Sequence, residues 1–388
     1  MRLAQRMSRL GTETAFEVLA RAKKLEQSGR SIVHLEIGEP DFDTPTEIIQ
    51  AANQALADGY THYTPAAGIP GVRKAIAKHV SSTRRIEVDP EEVVVTPGAK
   101  AIIFFPMLAL LQAGDEVIYP DPGFPIYESM VRFVGATPVP VRLRANRRFS
   151  LDPDELLAKV TDRTRLVILN SPQNPTGGVI SASDMERLAA GLADCDLMVL
   201  SDEVYSEIIY GIEHVSISQF PGMRERTIIL DGWSKTYAMT GWRLGFGVMP
   251  QPLAAQVTKL QINSISCAPA FCQIAGAVAL RMDRGPVTEM VQEFRRRRDT
   301  IVDGLNALPG FECLRPDGAF YVFPQITATG LSSKELETHL LEEAGVAALA
   351  GTAFGEAGEG FLRFSYATSI QNIEEALRRI RQHLTAGA

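Results

Sequence analysis

The sequence predicts an α/β protein, in which a mostly parallel seven-stranded sheet is flanked by helices and a smaller α+β unit lies beside it. Three observations carry this expectation. Seven short apolar runs, at 93–96, 117–119, 139–141, 166–169, 197–201, 228–230 and 244–248, alternate with helical stretches, as strands buried on both faces do. Gly, Pro and polar residues cluster just after several of these runs, where parallel sheets bind their ligands. Beyond about residue 250 helices dominate, and two aromatic-rich runs at 315–323 and 361–366 read as strands of the second unit.

Composition bounds the function. A chain of 388 residues that is 45% hydrophobic can fill a large core in two or three domains. Its formal charge is −7 with both signs scattered, which gives no footprint for nucleic acid and no polybasic membrane face. No apolar run reaches the roughly 18 residues of a membrane span, and the first residues lack a secretory core. Cys195, Cys267, Cys272 and Cys313 have no paired metal spacing and are too few for a disulfide framework. The six histidines make no helical ligand pair, so the expectation is a cytoplasmic protein without a metal site.

Taken in order, residues 12–28 predict an amphipathic helix with Phe16, Leu19, Ala20 and Leu25 on its apolar face and Gly29 as its stop. A short strand then runs into a loop containing Gly38, Pro40 and Pro45. Helices follow at 46–58 and 70–81, and the breakers between them surround Tyr63. After the first sheet strand, Thr96-Pro-Gly98-Ala-Lys100 opens a helix, so the amides of Gly98, Ala99 and Lys100 can hold an anion at the positive end of the dipole. It is equally the form of an ordinary capped helix start. Phe124 lies in a Pro/Gly turn after the next strand. Asn174 lies in the turn 170–178, and Asp202 and Tyr205 follow the strand 197–201. A carboxylate at the depth of Asp202 requires a cationic or donor partner.

The stretch from Asp231 to Gly245 places Ser234, Lys235 and Arg243 in a loop of small residues after an apolar strand. An amine desolvated there, with a cation nearby, becomes a nucleophile near neutral pH, although Ser-Lys-Thr alone also suits a solvated turn. A phosphate loop would need Gly at 234 and a nucleophile elbow Gly at 236, and neither is present. The long helix 287–305 carries Arg295 to Arg298, whose side chains point all round its axis and suit a solvated face with one or two at an interface. Arg363 sits between apolar neighbours, so it is an outward edge residue or a cation facing a cleft.

These dispersed motifs, in this order from Gly38 to Arg363, resemble the class I/II aminotransferases of fold type I, nearest to the bacterial aspartate aminotransferase subgroup. The resemblance implies pyridoxal 5′-phosphate held as a Schiff base by Lys235. Its phosphate would meet Gly98, Ala99, Lys100, Ser234, Arg243 and the Tyr63 of a second subunit, which implies a homodimer. Phe124 would stack on the ring, Asp202 would pair with its nitrogen, and Asn174 and Tyr205 would bond its phenolic oxygen. Arg363, Asn174 and the Gly38 amide would take the substrate carboxylate. Lys100 aligns with a lysine used near the distal carboxylate, implying an acidic donor and 2-oxoglutarate as acceptor. Alanine-type, aromatic or broad specificity, or a C–S lyase on the same fold, remain open, while an aminotransferase-like regulator would need a DNA-binding head for which only about 37 residues precede Gly38. Gly232 stands where many relatives carry a phosphate-binding serine. The implied division is an arm at 1–45, a cofactor-binding domain at 46–285 and a small domain at 286–388.

Overall fold

The structure is a computed structural model and describes residues 1–386. After a first short strand, β1 (Val33–His34), the seven predicted strands are all present. They are β2 (Val93–Thr96), β3 (Glu116–Asp121), β4 (Thr137–Arg142), β5 (Thr164–Asn170), β6 (Met198–Asp202), β7 (Thr227–Gly232) and β8 (Gly245–Val248). Their order is β2-β8-β7-β6-β5-β3-β4, parallel throughout except that β8 runs against both its neighbours. The central strands are buried along their length, which is why they read as continuous apolar runs rather than as alternation. Pro138 and Pro140 are confined to β4, the edge strand, where an unpaired side of the backbone tolerates the missing donors.

The second unit is a smaller sheet. β9 (Tyr321–Val322), β11 (Leu349–Ala350) and β12 (Leu362–Ser365) form an antiparallel set in the order β11-β12-β9, and β10 (Val346–Ala347) pairs in parallel with β1. The N-terminal segment is thereby joined to the C-terminal part of the chain. A 22-residue helix, Gly285–Asn306, and the helix Ile370–Ala386 pack together on it.

Two expectations need correction. The helix Thr14–Gln27 buries Val18 and Ala22, with Ala15 and Leu25 beside them, whereas Phe16 is 59% exposed. The stripe i, i+4 through Val18 is narrower than the one anchored on Phe16, because small residues let this helix approach the small sheet closely. The strand expected over 315–323 is reduced to Tyr321–Val322. Pro316 and Gly318 break it, and the amides of Asp317 and Gly318 instead meet the carbonyl of Gly177, at 3.2 and 3.0 Å.

The basic run resolves as anticipated for a helix. Arg297 and Arg298 are buried while Arg295 and Arg296 face solvent. Arg297 binds Asp41 at 2.6 Å and lies 4.9 Å from the Phe42 ring centre, so the loop after Gly38 is fastened to the long helix.

Beneath the sheet's carboxyl edge lies a buried charge cluster. Arg84, at the end of the helix Pro70–Arg84, donates to Glu203 at 2.8 Å, Asp231 at 2.6 Å and Ser206 at 2.9 Å. Burial pushes the Asp231 carboxyl up to about 7, while Glu203, though equally buried, is held well below the usual carboxylate range by Arg84 and His214. Because Glu203 follows β6 and Asp231 ends β7, this one guanidinium ties together the strand ends that carry Asp202 and Lys235. Removing it leaves two buried carboxylates without their cation, so Arg84→Met is expected to lower unfolding stability by about 3 kcal/mol or more. A denaturant midpoint unchanged from the parent protein would contradict this.

Candidate active site

The carboxyl ends of β2, β3, β5, β6 and β7 open on a cavity of about 540 Å³, closed on its far side by the small sheet and by residues 13–16 and 37–39. Register fixes much of its floor. Asn170 lies beside Asp202, and Asp202 beside Leu230, across the β5, β6 and β7 ladders.

Lys235 stands on a single helical turn, Trp233–Thr236, directly after β7. Trp233 anchors that turn. It is fully buried, donates to the Gly276 carbonyl at 2.9 Å and packs edge-on against Phe246. The Lys235 ammonium donates to the Gly38 carbonyl at 2.6 Å and makes no hydrogen bond to a carboxylate among the described residues. Burial lowers its pKa to about 8, helped by the cations Arg363, Lys100 and Arg243 and opposed by Glu39. Gly38 therefore presents its carbonyl to the lysine here, and not only the amide expected to meet a substrate. A Cβ at position 38 would lie 2.0 Å from the Tyr321 hydroxyl, so only glycine allows the loop to come this close.

Asp202 accepts from Tyr127 at 2.6 Å and from the Val204 amide at 3.3 Å. Burial raises its pKa to about 6, and those two donors moderate the rise. Tyr127 is the partner that sequence reasoning missed. Its signal was weak, since an aromatic three residues after Phe124 in a Pro-rich turn reads as core. Tyr205 and Tyr321 share a hydroxyl hydrogen bond of 2.8 Å. Asn174 is held through its amide by the Asn170 side chain at 3.0 Å and accepts from Arg363 at 3.0 Å.

At the other end, the amides of Ala99 and Lys100 meet no acceptor in the described protein. The Gly98 amide is already given to the Thr96 carbonyl at 2.8 Å, a correction to the expected set of three. Gly98 acts by its shape instead. Its φ is +87°, and a Cβ there would lie 2.2 Å from a terminal nitrogen of Arg243. The helix itself begins at Ala101. Ser234 and Arg243 line the same end, and Phe124 lies on the adjacent wall.

Arg363 on β12 is 3% exposed and faces the cleft. Its guanidinium lies between the Tyr321 and Phe354 rings, 4.5 and 4.8 Å from their centres. It donates to Asn174 and to the Glu36 carbonyl, but its Nε has no partner and no carboxylate pairs with it among the described residues. A buried cation in that condition is a site for an anion. Sequence reasoning also missed Tyr321, Phe354 and Glu13, whose roles depend on which faces the small sheet and the first helix turn towards the cleft. Tyr63 is 89% exposed and belongs to no wall of this cavity.

The profile of the class I and II aminotransferases matches residues 30–380. The chain is 41% identical to an aspartate aminotransferase of Pyrococcus horikoshii, over 98% of this chain and 97% of that protein. This protein belongs to the class I and II aminotransferases. It is also 42% identical to an aromatic-amino-acid aminotransferase of Thermococcus litoralis, over 93% of each. The aspartate aminotransferase of Thermus thermophilus with maleate superposes with a TM-score of 0.95 at 37% identity, covering 99% of this chain and all of that one.

Enzymes of this family depend on pyridoxal phosphate, and the residues present fit that group. An amine of lowered pKa, two unpaired amides beside an arginine, and a deep carboxylate lie around one cavity. The amine reacts only when neutral, so the cofactor-free protein should combine with pyridoxal phosphate faster as pH rises, levelling off above about 8. Stopped-flow absorbance would show this. A rate still climbing at pH 10 would contradict the desolvation of Lys235. Gly38→Ala is expected to reduce that combination rate on the order of tenfold by displacing Tyr321 and the carbonyl that orients the amine.

Proposed function

We propose that this aminotransferase takes its amino group from an L-amino acid, aspartate in first place, and passes it to a 2-oxo acid such as 2-oxoglutarate in two half reactions. The observation that carries this reading is the pairing of Arg363, a buried guanidinium with a free Nε, with the desolvated Lys235 across one cavity. An α-carboxylate on Arg363 would bring the Cα–H of the donor towards Lys235. Arg363 binds that carboxylate with Asn174, and the Gly38 loop closes over it.

When bound, the cofactor supplies an electron sink. Around it, Asp202 would hold the ring nitrogen protonated, with Tyr127 fixing the carboxylate. Asn174 and Tyr205 would bond the phenolic oxygen, and Phe124 would cover the ring face. Ala99, Lys100, Ser234 and Arg243 would hold the phosphate, with one donor fewer because position 232 is glycine. The Lys235 Nζ would take the Cα proton as a base and, as the ammonium it becomes, give that proton up again as an acid. Tyr63, exposed on one chain, reaches the phosphate of a second copy in a homodimer. The small domain spans 286–388 together with the arm 1–45, and the cofactor-binding domain spans 46–285. No helix among the described residues is long and apolar enough to cross a membrane, in keeping with a cytoplasmic enzyme.

A second reading, aromatic or broad donor specificity, has its own support. An aromatic-amino-acid aminotransferase is as similar to the chain as the aspartate enzymes are, and Phe16, Ile37, Ile103 and Phe124 line the cavity.

The purified protein should carry a violet-absorbing band that L-aspartate bleaches, and Lys235→Ala should lose it. A band that survives loss of Lys235 would overturn the assignment. Arg363→Ala should lower kcat/KM for the donor on the order of a hundredfold, chiefly through KM. Co-expressed Tyr63→Phe and Lys235→Ala chains should regain activity in mixed dimers, since one of the two sites is then intact. Mixed dimers no more active than the parents would remove Tyr63 from the neighbouring site.

A further inference from the structure

Four cations face the cavity, Lys100, Lys235, Arg243 and Arg363. Among the described residues only Lys100 is paired with a carboxylate, and its partner is Glu13. Arg243 and Arg363 are left to anions that the reaction brings in and Lys235 is the reacting amine, whereas Lys100 is already engaged. Glu13 occupies the N-cap of the helix Thr14–Gln27 and makes no capping hydrogen bond, as expected of a side chain longer than those that cap. Its carboxylate turns into the cavity instead, and its charge is felt at Arg363 and Tyr321.

We propose that Glu13 sets donor specificity by neutralising Lys100, so that uncharged, above all aromatic, side chains are accepted beside dicarboxylates. This rests on the aminotransferase reading of the same cavity. The donor side chain then meets a charge-balanced patch rimmed by Phe16, Ile103 and Phe124, with Lys100 itself 5.4 Å from the Phe124 ring centre. A dicarboxylate must draw Lys100 away from Glu13 and approach a like charge. Lys100 is half exposed, and ion pairs so open to water are weak. The penalty is therefore modest, and aspartate stays a substrate.

The test is the ratio of kcat/KM for L-aspartate to that for L-phenylalanine, which does not depend on the fraction of active protein. In Glu13→Gln the ratio should rise about threefold, and in Glu13→Asp it should return towards the parent value. Lys100→Gln should lower it. A ratio unmoved or lowered by Glu13→Gln overturns the role of Glu13 while leaving the aminotransferase assignment intact. A holoenzyme that transfers the amino group of no donor overturns both.

Discussion

The site depends on one electrostatic constraint, the burial of a lysine amine that no carboxylate pairs with among the described residues. Lys235 meets a carbonyl and an aromatic wall, and three other cations share its cavity. An amine so placed is a poor ammonium, and the chain must hold it there against its own desolvation. The surroundings follow from that requirement. Trp233 pins the helical turn from below, the Gly38 loop supplies the one acceptor, and Arg297 fastens that loop to the long helix through Asp41.

Two of the buried carboxylates are kept one layer down. Asp202 opens on the cavity, while Glu203 and Asp231 face the other way and are held by Arg84. Alternation along a strand and its continuation sends neighbouring side chains to opposite faces. The pair Asp202-Glu203 thereby serves the cavity and the core clamp at once. Burial would protonate such carboxylates, and each has a donor that limits it. For Asp202 the donor is Tyr127 rather than a cation, leaving its charge available to a ligand.

The small sheet completes the cleft from the side. β1 joins β10, so the N-terminal segment and the C-terminal strands form one sheet edge, and Glu13, Gly38, Tyr321, Phe354 and Arg363 line the cavity from this side. One cavity is thus lined from both units.

The sequence alone determined the seven-stranded sheet, because strands buried on both faces must be apolar throughout. It also determined the polar residues at the strand ends, because a carboxylate, a lysine and an arginine among small residues after such strands have few other reasons to be there. Eleven of the thirteen residues it singled out, all but Gly98 and Tyr63, line one cavity. Tertiary structure decided what periodicity cannot. Which face of the first helix is buried depended on how closely the small sheet approaches, so Val18 and Ala22 went inward while Phe16 stayed out. Whether Gly98 offered an amide or a space depended on the position of Arg243, and the partner of Asp202 on where Tyr127 came to lie. The engagement of Lys100 by Glu13, 87 residues away in the chain, belongs to the same class. Contacts between segments distant in sequence leave no periodic trace, since they are fixed by packing rather than by local preference.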